Sequence, residues 1–153
     1  MKEKIINGGI AVDDRGSVRF INDFDFKDVK RFYHVENHKR GFIRAWHGHK
    51  KEGKYVYVVD GSALIGLVNM KTKKISKYIL SNKSPKILWI PPGYFNGFKS
   101  LEENTKIMFF STTSLEESLG DDIRKDFDEW NTNSYVQNSI KNIDDEWGKL
   151  NEE

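Results

Sequence analysis

The sequence predicts an all-β domain, a sandwich or barrel, and three observations support this. Short strand-like runs recur at intervals of roughly 10 to 12 residues, the spacing of such folds. Turn-forming Gly, Pro, Asn and Asp residues separate the runs. Aromatic residues are 13% of the 153 residues, and several fall in the short apolar runs that would build a β core. An α/β chain would instead alternate strands with longer helical segments.

In chain order the runs are SVRFIN (17–22), KRFYHVEN (30–37), FIRAWH (42–47), KYVYVVD (54–60), SALIGLVN (62–69), ISKYILS (75–81), KILWI (86–90) and TKIMFFST (105–112). The breaks are 14–16, 37–41, 48–53, Asp60-Gly61, 69–74, 82–85 and Pro91-Pro92-Gly93. Asp60-Gly61 between two apolar runs reads as a hairpin turn. The end of the chain changes character. Ser134 and Gln137 have the form of a capping box, and Val136, Ile140, Ile143, Trp147 and Leu150 form an apolar stripe at helical spacing. The expected organisation is a β domain over residues 1–132 and a helix over 133–153, packed on the barrel or on a partner subunit.

Composition narrows the function classes. Twenty-five basic and 23 acidic residues give a net charge of +2. That balance makes no bulk case for nucleic acid or a membrane surface. The absence of cysteine removes disulfides and thiolate-bound zinc. No apolar run approaches the ~20 residues that span a bilayer, and the N-terminal segment lacks a secretory core. A cytoplasmic protein is the expectation.

The most informative stretch is GFIRAWHGHKKEGKYVYVVDG, residues 41–61. His47 and His49 are two apart, so an extended strand points both to one face. Arg44 precedes them and Lys54 opens the next run. Histidine titrates near neutrality and is the usual proton carrier. Two readings follow, a metal site or proton transfer on an anionic substrate. A metal site of this spacing wants a carboxylate, for which Glu52 could serve, and a third histidine on a later strand. No histidine follows His49. Proton transfer without metal or other cofactor is therefore expected. Arg44 and Lys54, flanking the turn at 48–53, are expected as cross-strand neighbours holding phosphate or a developing enolate. Asn96, in LWIPPGYFNGF (88–98), would sit at a barrel mouth, and Arg15, in DDRG (13–16), could reach a phosphate.

Taken in order, Asp14-Arg15-Gly16, Arg44 to His47, GKYVYVVDG (53–61) and IPPGYFNGF (90–98) resemble the dTDP-4-dehydrorhamnose 3,5-epimerase family. That family carries RGLHxQ, GKLVxxxxG and IPxGxAHGF in the same order on a cupin-type jelly roll. The resemblance covers roughly residues 10 to 130. It implies His47 as catalytic base, Arg44 as a substrate-binding arginine and Lys54 as the lysine that stabilises the carbanion. It also implies a nucleotide-linked sugar, expected to be dTDP-linked, as partner, a homodimer, and a role in making deoxysugars for surface polysaccharide. Asn96 stands where the family has its second histidine. Phe109 stands where it has a general-acid tyrosine, and a phenyl ring cannot donate a proton. The donor would then be Tyr57, Tyr94 or solvent. The chain is also similar to the dTDP-4-keto-6-deoxyglucose 3,4-ketoisomerases, whose RGxHAHK motif matches RAWHGHK (44–50) at both histidines. KRFYHV (30–35) and EESLGDDIRKDFDEW (116–130) share that similarity. The readings are thus a 4-keto-6-deoxy sugar epimerase acting at C3 and/or C5, a 3,4-ketoisomerase, or a sugar-nucleotide-binding protein that has lost activity.

Overall fold

A computed structural model describes residues 1–129. The helix expected over 133–153, with its capping box and apolar stripe, lies outside the described residues. The strands are β1 (Lys4–Asn7), β2 (Gly9–Asp13), β3 (Gly16–Phe20), β4 (Arg31–Asn37), β5 (Ile43–His49), β6 (Lys54–Asp60), β7 (Ser62–Asn69), β8 (Ile75–Ser81), β9 (Lys86–Ile90), β10 (Tyr94–Ser100), β11 (Thr105–Ser111) and β12 (Ile123–Arg124), with one short helix, α1 (Leu115–Leu119), before the last. They form two five-stranded sheets, ordered β1-β9-β6-β11-β4 and β12-β5-β10-β7-β8, beside a β2-β3 hairpin. All pairings are antiparallel. The all-β jelly-roll expectation holds.

Alternation along the strands decides what faces the interior. In β6, Lys54, Val56 and Val58 are buried while Tyr55 and Tyr57 are only half-buried. In β11, Ile107 and Phe109 are buried and Met108 and Phe110 are less so. The inward set packs with Ala63, Ile65 and Leu67 of β7 and with Leu88 and Phe98 into the main core. The opposite face of β7 contributes Leu64 and Val68 to a second cluster around Trp46. The tail covers that face, and the indole of Trp46 donates to the Phe127 carbonyl at 3.2 Å. β7 is therefore apolar throughout because both its faces are covered.

Two expectations about turns are corrected. Asp60-Gly61 does not close a hairpin, because β6 pairs with β9 and β11 while β7 lies in the other sheet. Gly61, at φ 82°, makes the corner between the sheets. The 48–53 turn likewise crosses between sheets, so Arg44 and Lys54 are not neighbours on a ladder. A two-residue pattern of turn and flanking strands cannot distinguish a hairpin from a corner. β10 was not anticipated because YFNGFKS reads as a turn. Gly97 is there for packing: a Cβ would come within 2.5 Å of the Ala45 Cβ on β5.

Candidate active site

The inward faces of β4, β5, β6, β10 and β11 and the segment after α1 enclose a cavity of about 290 Å³. His47, His49, Arg44, Lys54, Asn96 and Phe109 all line it. Six of the nine residues expected in the site thus converge: five sit on the inward parity of their strands, and Arg44, three residues from His47, joins them across a register shift in the β5–β10 pairing.

The two histidines differ in their surroundings. His49 is buried, and its Nδ1 lies 2.7 Å from the Asp121 carbonyl oxygen. A carbonyl only accepts, so Nδ1 carries the proton. His47 is less buried, and its imidazole makes no hydrogen bond among the described residues. Burial first, then the charges of Lys54 and Arg124, push its pKa down to about 4. Its ring is neutral at physiological pH and free to accept a proton. Burial and Lys54 also lower the pKa of His49, opposed by Glu52 and the Asp121 carbonyl.

Under the histidines lies a buried carboxylate, Glu52. Its Oε1 accepts from Arg31 Nη2 at 3.1 Å, Ser111 Oγ at 2.9 Å and Thr113 Oγ1 at 3.0 Å. Its Oε2 lies 3.4 Å from His49 Nε2 and 3.7 Å from Lys54 Nζ. Burial favours the neutral acid, but Lys54, His49 and the hydroxyl bonds outweigh it and hold the carboxyl below its usual range. Asp121 fixes the turn that carries Glu52. Its two oxygens accept the backbone N–H groups of Lys50, Lys51 and Glu52 at 2.8 to 3.1 Å.

Lys54 is buried, and its Nζ sits 5.9 Å from the Phe109 ring centroid. Burial lowers its pKa, and Glu52 pulls the other way. Arg44, at the exposed rim, donates through Nε to Asn37 Oδ1 at 2.7 Å. Arg31 and Arg124 add two more cations to the lining. The Asn96 amide donates to the His47 carbonyl at 3.2 Å, so it braces the strand that carries the base.

Three expected residues fall outside this cavity. Arg15 sits on the β2-β3 turn, largely exposed, bound to Asp13 at 2.6 Å. Tyr57 has the wrong parity. It is odd-spaced from Lys54 and faces outward, beside Phe20, Phe24 and Phe110. Tyr94 pairs with His49 in register, yet its hydroxyl donates to Glu3 Oε2 at 2.7 Å, away from the cavity. The tyrosine in the cavity is Tyr33, on β4, which was not anticipated. Period two along 31–37 would have placed Arg31, Tyr33 and Val35 on one face. No signal in the sequence revealed which face was inward. Among the described residues no group of three His, Cys, Asp or Glu side chains could hold a metal ion.

With the geometry in hand, comparison with known proteins is decisive. The sequence profile of dTDP-4-dehydrorhamnose 3,5-epimerase matches residues 5–152, nearly the whole chain. This chain belongs to the dTDP-4-dehydrorhamnose 3,5-epimerase family. It is an enzyme of the sugar-nucleotide epimerase and isomerase kind. A spore coat polysaccharide biosynthesis protein, SpsL of Bacillus subtilis, is 28% identical over 104 residues, 60% of this chain and 69% of the relative. A 3,4-ketoisomerase from Helicobacter canadensis has a similar structure, with TM-score 0.66 and 26% identity, over 84% of this chain and 94% of that one. The rmlC epimerase of Mycobacterium tuberculosis has the same fold, with TM-score 0.71 and 19% identity, over 82% of this chain and 70% of that one. No described helix is long and apolar enough to cross a membrane.

Proposed function

We propose that this enzyme epimerises a dTDP-linked 4-keto-6-deoxy sugar by removing a proton from carbon beside the ketone. The observation that carries the reading is His47, a neutral imidazole lining the cavity beside two cations. The 4-keto group acidifies the hydrogens at C3 and C5. His47 takes one, and the electron pair moves into the ketone oxygen to give an enolate. Lys54 and Arg44 supply the positive charge that such an oxyanion needs. The proton returns to the other face from Tyr33. Burial, and then the charge of Glu52, raise the Tyr33 pKa, so its hydroxyl stays protonated as a donor should.

A second reading is 3,4-ketoisomerisation of the same class of substrate. His49 favours it, since a second imidazole on the face of His47 could move the oxygen-bound proton while the ketone migrates. The likeness to the Helicobacter canadensis ketoisomerase supports it too. The kinship with SpsL fits a place in polysaccharide biosynthesis. We further propose that the enzyme works in the cytoplasm as a homodimer, in keeping with its family.

Proton NMR of dTDP-4-keto-6-deoxyglucose in heavy water with the enzyme tests these readings. Deuterium entering C3 or C5 with inversion supports epimerisation. A ketone that moves to C3 supports the second reading. A nucleotide sugar that binds but neither exchanges nor rearranges would overturn both and leave a binding protein.

A further inference from the structure

Glu52 divides its two oxygens unequally. Oε1 accepts three hydrogen bonds, while Oε2 is buried and accepts none among the described residues. The side chain is 1% exposed, and a carboxylate so buried needs a purpose for its bare oxygen. That oxygen lies 3.4 Å from His49 Nε2 and 3.7 Å from Lys54 Nζ. The other ring nitrogen is committed, because Nδ1 donates to the Asp121 carbonyl. Nε2 is therefore the one atom of His49 that can gain or lose a proton.

We propose that Glu52 is the positioning residue that makes His49 a second proton carrier. Asp121 fixes the tautomer and the ring, and Glu52 supplies the countercharge when Nε2 is protonated. This rests on the ketoisomerase reading above and adds to it a device for the oxygen-bound proton. In the forward step the O–H bond of a substrate hydroxyl beside the ketone breaks and Nε2 gains its proton. In the next, Nε2 gives that proton to the enolate oxygen formed by His47, so His49 ends as it began. A neutral ring alone would do this poorly in a buried cavity, because the imidazolium would have no counterion. The carboxylate beside Nε2 supplies that counterion and lowers the cost.

The charges around His49 come from several elements. Lys54 on β6 and His47 on β5 oppose its protonation. Glu52 in the turn and Asp121 in the tail favour it. Arg31 on β4 stands behind Glu52, and Asp122 and Arg124 line the same cavity. The proposal therefore predicts shifts of opposite sign from two substitutions. Glu52→Gln should lower the His49 titration midpoint, and Lys54→Met should raise it, each by about one pH unit.

The experiment is long-range proton–nitrogen correlation NMR of the ring nitrogens across pH, on the full-length 15N-labelled protein without substrate. In the wild type at pH 7, Nδ1 should be protonated and Nε2 bare. A protonated Nε2 with bare Nδ1 would overturn the proposal in the wild type alone, even if the Glu52 variant fails to fold. Midpoints that stay within about 0.3 pH units in both variants would overturn it too. In ketone migration, Glu52→Gln should lower kcat at least about tenfold with KM within about twofold. A purely structural Glu52 would leave the kcat-to-KM split unmoved. A wild type that acts on no 4-keto sugar would count against the proposed function only, since the titration needs no substrate.

Discussion

Tyr33 and Phe109 are direct cross-strand partners, and their rings stack 5.0 Å apart at 11°. The residue that lacks a hydroxyl is thus covered by one that has it. Both lie on the inward face, and Arg31 sits 5.1 Å from the Tyr33 ring. In the proposed reaction, Tyr33 on β4 supplies the hydroxyl that Phe109 on β11 does not carry.

Tyr33→Phe should lower product formation by about a hundredfold, because it removes the donor from one face of the sugar. Exchange of the abstracted proton with heavy water should persist, since His47 is untouched. Single-turnover NMR separates the two. Inversion that proceeds at the wild-type rate would show that the proton returns from elsewhere. Phe109→Tyr in the same background should recover part of the loss.

His47→Asn should abolish deuterium exchange and leave nucleotide binding within a few-fold, because the shape is kept. The pH dependence has a definite sign. With the His47 pKa near 4, the acid limb of kcat/KM should centre near pH 4 and not near 6.5. The unfolded chain takes up this proton at higher pH than the folded one. His47 therefore removes stability as pH falls from about 6.5 towards 4, and the contribution is intact above 6.5. A limb at 6.5, or urea midpoints that fall across that range as much in His47→Asn as in the wild type, would refute the assignment.

His49→Gln separates the two enzymatic readings. An epimerase should keep most of its rate, within about tenfold, while a ketoisomerase should lose about a hundredfold or more. The assay is formation of each product by NMR from one substrate sample.

Asp121→Ala should cost about 2 kcal/mol or more, because three backbone N–H groups of the 50–52 turn lose a charged acceptor. Chemical denaturation measures it. Burial works against the Asp121 charge, but those bonds prevail and hold its pKa below 3.8. Its stabilisation is present above that value and is lost as pH falls through the lower folded-state pKa. Loss of stability in the variant should come with loss of activity, since the turn carries Glu52.

The sequence alone determined that the fold is β and where eight of the strands run, and it singled out His47, His49, Arg44 and Lys54, which line one cavity. Those signals are local: period two places both histidines on one face, and the ordered motifs identify the family. It did not determine how strands pair. Asp60-Gly61 and the 48–53 turn look alike whether they join neighbours in one sheet or cross between two, because pairing is set by contacts far apart in the chain. Tertiary structure therefore decided that Tyr33, and not Tyr57 or Tyr94, reaches the cavity. It also decided that Arg15 does not line this cavity. It brought Glu52 and Asp121, 69 residues apart in the chain, to the two ring nitrogens of His49. A parity rule fixes which side chains share a face, but only packing of the two sheets fixes which face is inside.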